Sequence, residues 1–250
     1  MSVEISHSPG VAWVTFGNGR GNVLDSPLLT DLAGAVERVA TDSSLKLIVF
    51  EGAGVDFSFG ASVEEHRGDQ VRAMFATFHG MFRRIDATHV PTAAVVRGRC
   101  LGGGLEFAAF CGHVACAPNA VLALPEVRLG VFPPLGAVVL PWRCGGSRST
   151  DLITLGGAIP VAEALAVGLV DEVADDPAAA AWAYSERFTK LSASSVRHAW
   201  TAARLGLSDR LREDLPRLEG LYLKQLLATH DAHEGIAAYL ERRPPAYVNR

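Results

Sequence analysis

The chain has 250 residues, of which 49% are hydrophobic and 20% charged, with a formal net charge of -4. This composition buries a real core, in one large domain or a domain with a small appendage, and it excludes intrinsic disorder. The negative balance offers no general attraction to nucleic acid or to anionic membranes, so neither is expected as a partner.

The amino-terminal stretch "MSVEISHSPGVAWVTF" lacks the basic-then-apolar layout of a secretory signal, and its end, "VAWVTF", reads as a strand. "GNGRG" at Gly17–Gly21 then reads as a turn, because no GxGxxG with a downstream acid follows. "LLTDLAGAVERVA" has helical spacing, with Leu28, Leu32, Val36 and Val39 on one face. "LKLIVFEG" reads as a second strand, "VRAMFATFHGMFRRI" as a helix and "PTAAVVRG" as the strand after it. "LGGGLEFAAFC" turns into a helix, and the short strands "HVACA" and "AVLAL" follow. Strand and helix in alternation imply crossover connections and a layered α/β core.

"GVFPPLGAVVLPW" is too short and too rich in proline to span a bilayer. From about Ser147 onward the periodicity is nearly all helical, "GLVDEV" being a short strand or turn. The expected division is a core over residues 1–190 and a helical region over residues 191–250. Arg83-Arg84 and Arg242-Arg243 read as solvated helix faces, and His230 and His233 in "HDAHEG" as a helix start rather than a metal site. Cys100, Cys111, Cys116 and Cys144 form no CxxC pair and no zinc-like spacing, so reduced thiols are expected, and the location cytoplasmic.

Neither GxxxxGK[ST] nor GxSxG occurs, which counts against phosphate-loop ATPases and serine hydrolases of that type. Two glycine-bearing turns and two glutamates are left. In "DFSFGASVEEH", Gly60 permits a backbone geometry other residues avoid, and Ala61 can present its N–H with little side chain in the way. In "LGGGLE", Gly102–Gly104 open a helix whose free N–H groups favour negative charge. Two such donors converging on one oxygen would form an oxyanion hole. Glu106 lies among Leu105, Phe107, Ala108 and Ala109, where desolvation raises a carboxyl pKa, and Glu126 follows Pro125 at the end of an apolar segment. Two carboxyls in one apolar pocket divide into an acid and a base. Physics leaves an alternative open, with Glu126 an exposed loop acid and Glu106 a helix-start residue matched to the dipole.

"CLGGGLEFAAFC", "LPEVRLGVFPP", "AEALAVGLVDEV" and the closing "DAHEGIAAYLERRPPAY" resemble the crotonase (enoyl-CoA hydratase/isomerase) superfamily. An "N-x-L" turn at Asn22–Leu24 and "FSFGAS" complete a pattern that is collinear over essentially the whole chain. The resemblance implies an α/β fold of the ClpP/crotonase type, a ββα-superhelix core with a helical C-terminal region. Ala61 and Gly103 match the family's thioester-binding N–H positions, and Glu106 and Glu126 its two hydratase glutamates. Phe59, Gly60, Ser62, Gly102 and Pro134 are expected in the substrate pocket.

Within the superfamily, "FSFGASVEEH", "FHGMFR" and "VFPP" are most similar to hydratases of cyclohexa-1,5-diene-1-carbonyl-CoA, enzymes of aromatic-compound degradation. Ser62 stands where most enoyl-CoA hydratases carry aspartate, and Pro134 where a glycine is common. The resemblance implies a hydro-lyase acting on an acyl-CoA and assembled as a homotrimer or homohexamer. It implies no metal and no cofactor beyond the coenzyme A of the substrate. The alternatives are a straight-chain enoyl-CoA hydratase and a non-catalytic binding protein on the same fold.

Overall fold

A computed structural model of the chain describes residues 2–19, 21–68 and 70–250. The turn expected at Gly17–Gly21 includes Arg20, which lies outside the described residues. The chain opens with the hairpin β1 (Val3–Ser8) and β2 (Val11–Phe16), then α1 (Ser26–Ala40) and β3 (Leu47–Gly52). Asp25 caps α1 by accepting the Leu28 N–H at 3.1 Å, and Leu28, Leu32, Val36 and Val39 are buried together as their spacing predicts. A short 3-10 turn (Glu64–His66) leads to α2 (Gln70–Ala87), β4 (Thr92–Val96), β5 (Arg99–Leu101) and α3 (Gly103–Phe110).

β6 (His113–Cys116) and β7 (Val121–Ala123) follow, then a 3-10 turn (Glu126–Leu129), α4 (Pro134–Cys144) and α5 (Gly146–Leu155). β8 (Ala158–Ile159), α6 (Val161–Ala166) and β9 (Glu172–Val173) precede three long helical segments: α7 (Pro177–Glu186), α8 (Ala193–Lys224) and α9 (His230–Leu240).

The larger sheet runs β1-β2-β3-β4-β6-β9, antiparallel at β1/β2 and parallel elsewhere; the smaller runs β5-β7-β8. Register aligns Val14, Phe50, Ala94 and Val114 in one row across four strands, and all four face the main core. The neighbouring positions Val49, Ala93 and Ala115 point to the opposite face, where Ala180 and Ala181 of α7 cover them. Small residues on both sides let α7 lie close to the sheet.

α4 is an element that sequence periodicity did not reveal. Pro134 stands at its first turn, where a missing N–H costs nothing, and Val138, Val139 and Leu140 are buried behind it. α8 joins two apparent helical segments into one helix of 32 residues despite Pro216 within it. Pro216 removes a backbone hydrogen bond, but buried Leu207, Leu211, Leu215 and Tyr222 carry the helix past it. α9 starts at His230 as expected, and all four cysteines are free thiols, with burial pushing Cys111 and Cys116 up to about 12. Among the described residues no helix is long and apolar enough to cross a membrane.

Candidate active site

The first wall of the site is backbone. Asn22 donates through Nδ2 to the carbonyls of Ala53 and Asp56 at 2.9 and 2.8 Å, and Ser58 Oγ donates to the Asn22 carbonyl at 2.7 Å. Ser58 Oγ also accepts the Gly60 N–H at 3.0 Å, while Leu24 N–H donates to the Gly60 carbonyl at 2.9 Å. These bonds hold Gly60 at φ +94°, and a Cβ there would lie 2.6 Å from the Leu101 carbonyl oxygen. No side chain fits that position. The next residue, Ala61, is thereby brought beside the start of α3: a Cβ on Gly103 would lie 3.0 Å from the Ala61 nitrogen. Both residues line one cavity, and among the described residues neither N–H has a hydrogen-bond acceptor. Two unspent donors therefore face the same space.

The second wall carries the acids. Glu106 sits in the first turn of α3, only 4% exposed, and accepts the Gly136 N–H of α4 at 2.5 Å. Burial pushes its carboxyl up to about 7, against the pull of that N–H. Glu126 opens the 3-10 turn after β7, and its Oε2 is buried without a hydrogen-bond partner among the described residues. Burial and then the charge of Glu106 push it up to about 8. Gly102, at φ +50°, leaves room for Glu126: a Cβ there would lie 2.7 Å from its Oε1. Near neutral pH such a pair holds one proton between two carboxyls, one able to give it and the other to take one. The reading of Glu126 as an exposed loop acid and Glu106 as a simple dipole match is not what the structure shows.

The cavity measures about 310 Å³ and is walled by apolar side chains, among them Met74, Phe75, Phe78, Val131 and Phe132. Phe59, Gly60, Gly102 and Pro134 line it, as expected from the sequence. Ser62 does not: it is buried just behind the wall, where its carbonyl accepts the Nδ1–H of His66 at 2.7 Å, and it is His66 that faces the cavity. The chain turns away immediately after Ala61, which removes Ser62 from the lining. Sequence reasoning also missed Gly136, His79, Ile236 and Tyr239, whose presence depends on how distant helices pack. All four lie in stretches already quoted, Gly136 in "GVFPPLGAVVLPW", His79 in "FHGMFR", and Ile236 and Tyr239 in "DAHEGIAAYLERRPPAY", but nothing local marks them as lining a site.

Comparison with known proteins gives the family and the fold. The enoyl-CoA hydratase/isomerase family model matches residues 6–250. A cyclohexa-1,5-dienecarbonyl-CoA hydratase of Thauera aromatica is 40% identical over 233 residues, covering 92% of this chain and 90% of that protein. A probable enoyl-CoA hydratase of Bacillus subtilis is 32% identical, covering 98% of each chain. The crystal structure of an enoyl-CoA hydratase from Mycobacterium avium subsp. paratuberculosis superposes with a TM-score of 0.86 at 29% identity, covering 100% of this chain and 99% of that one. The crotonase-like fold expected from the sequence is the fold observed.

Proposed function

Since the chain belongs to the enoyl-CoA hydratase/isomerase family and is an enzyme of the hydro-lyase type, we propose that it hydrates a cyclic dienoyl-CoA such as cyclohexa-1,5-diene-1-carbonyl-CoA. The observation that carries this reading is one cavity lined by two unspent N–H donors and two carboxyls with raised pKa values. Support for a cyclic acyl group comes from the 40% identity to the Thauera aromatica hydratase.

In the mechanism, the N–H groups of Ala61 and Gly103 hold the thioester carbonyl oxygen and stabilise the enolate as charge moves onto it. A donor of this kind contributes ~3 kcal/mol in the transition state. A water stands between Glu106 and Glu126. Glu106 takes a proton from the water as the water oxygen bonds to carbon. Glu126 delivers its own proton to the enolate carbon. One water is added, no electrons change hands, and a proton passed from Glu106 to Glu126 resets the pair. The route calls on no metal or redox group, and coenzyme A enters as part of the substrate.

Turnover of cyclohexadiene-carbonyl-CoA and of crotonyl-CoA, each with product mass, tests the reading. The cyclic thioester should gain one water with kcat/KM at least about tenfold above crotonyl-CoA. The reverse ratio would establish a straight-chain hydratase, a reading favoured by the Bacillus subtilis relative, and turnover of neither would leave a binding protein. We further assign residues 191–250 to self-association in a homotrimer or homohexamer, supported by exposed Leu205 and Leu221 on α8. A monomeric mass in light scattering would refute it.

A further inference from the structure

The mechanism leaves His79, a buried polar group of the cavity, unused. His79, on α2, is 1% exposed and lines the wall between Phe75 and Phe78. The Phe75 ring stacks on it, with centroids 4.7 Å apart. Its Nδ1 lies 2.8 Å from Glu219 Oε1 of α8, and Arg83, one turn further along α2, donates to the same oxygen at 3.1 Å. Although burial raises the Glu219 carboxyl, hydrogen bonding from His79 and the charges around it hold it below its ordinary value. An ionised carboxylate can only accept, so Nδ1 carries the proton. Desolvation lowers the His79 pKa, which keeps the ring neutral. Nε2 is then a bare lone pair. Among the described residues the hydrogen bond of this ring is made by Nδ1, and the residue itself lines the cavity.

A buried acceptor surrounded by Phe75, Phe78 and Met74 is poorly served by a hydrocarbon and well served by a donor. Glu219 and Arg83 fix the ring's orientation, so the lone pair is aimed before anything binds. We propose that His79 is a specificity-determining residue that accepts, through Nε2, a hydrogen bond from a hydroxyl group on the acyl moiety bound in the cavity. The proposal rests on the acyl-CoA reading above. The hydroxyl has two sources: the one that hydration places on the β carbon, or one already present further along the acyl group.

Three saturated thioesters separate these sources: cyclohexanecarbonyl-CoA and its 2-hydroxy and 4-hydroxy derivatives. Their dissociation constants are measured by calorimetry in a Glu126→Gln background that arrests turnover, with His79 intact and with His79→Phe. With His79 intact, one hydroxylated thioester should bind about tenfold tighter than the plain one, a difference of about 1.4 kcal/mol, and its identity names the source. His79→Phe should bring that ratio to near one while binding of the plain thioester holds or improves. An unchanged ratio in His79→Phe, or no preference with His79 intact, overturns the proposal. Should His79→Phe fail to fold, the nitrogen-15 resonance of His79 Nε2 in the folded parent decides. It must shift with the preferred hydroxylated thioester and not with the plain one, and a shift common to both, or to neither, overturns the proposal. Failure of the hydratase reading appears separately, as wild-type protein that turns over no enoyl thioester.

Discussion

Two kinds of polar group serve the cavity: backbone N–H groups, at Ala61 and Gly103, and carboxyl side chains, Glu106 and Glu126. The backbone side is clamped by Asn22, Ser58 and Gly60 through bonds of 2.7–3.0 Å, and added carbon atoms have nowhere to go. The acid side is held from far away in the chain. The Glu126 turn leans on α9 so closely that a Cβ on Gly130 would lie 2.4 Å from the Asp231 carbonyl oxygen. Tyr247, beyond α9, donates to the Arg128 carbonyl at 2.7 Å, and Gly136 of α4 holds Glu106. The lesson is one of tolerance: the donors that hold the carbonyl admit almost no change, whereas the acids sit on a wall whose shape and charge can be tuned piecemeal.

The sharpest way to break this contrast is Gly103→Pro. Proline removes the N–H and puts ring atoms beside the Ala61 nitrogen, so hydration should fall by about a thousandfold or more. A steady-state rate within tenfold of wild type would show that this amide is not needed. Glu126→Gln should cost about a hundred- to a thousandfold in kcat while calorimetry shows acyl-CoA binding within about threefold. Near-normal turnover would remove Glu126 from the chemistry.

The pH profile comes next. The active form holds one proton on the pair, so kcat/KM should be bell-shaped, falling in acid below about 7 and in alkali above about 8. Stability has a definite sign as well. Both carboxyls are raised above 4.5, so their contribution is fully present below pH 4.5 and is lost as pH rises through about 7 and about 8. Glu126→Gln should therefore melt above wild type at pH 9 and lose that advantage at pH 4, as differential scanning calorimetry would show. The smallest effects belong to the outer supports. Tyr247→Phe should lower kcat by about two- to fivefold through the Glu126 turn, and Ser62→Ala, behind the wall, by less than about twofold. A tenfold loss in Ser62→Ala would return Ser62 to the site.

The parts legible in the sequence are those fixed by local chemistry. β2, β3 and β4 are apolar runs ended by turns, and α1 shows its buried face in the spacing of Leu28 to Val39. Glu106 could be read as perturbed because it lies in an apolar run, and burial is what raises its carboxyl. Glu126 could not be decided that way, since what buries its Oε2 includes elements far along the chain. α4 carries no clear helical spacing and holds Pro134 and Pro141, although Pro134 occupies the turn where proline is tolerated. Tyr239 and Ile236 reach the cavity only through the packing of α9, for which no local spacing gives a sign.

That late-arriving wall has a consequence for how the protein is made. Synthesis delivers both glutamates and both N–H donors within the first 126 residues, but Ile236, Tyr239 and the Tyr247 anchor only more than a hundred residues later. An unfinished chain thus carries a complete set of reacting groups in a cleft open to water. A protein stopped after Ala228 should be inactive although every reacting residue is present, and competence would come only as α9 leaves the ribosome.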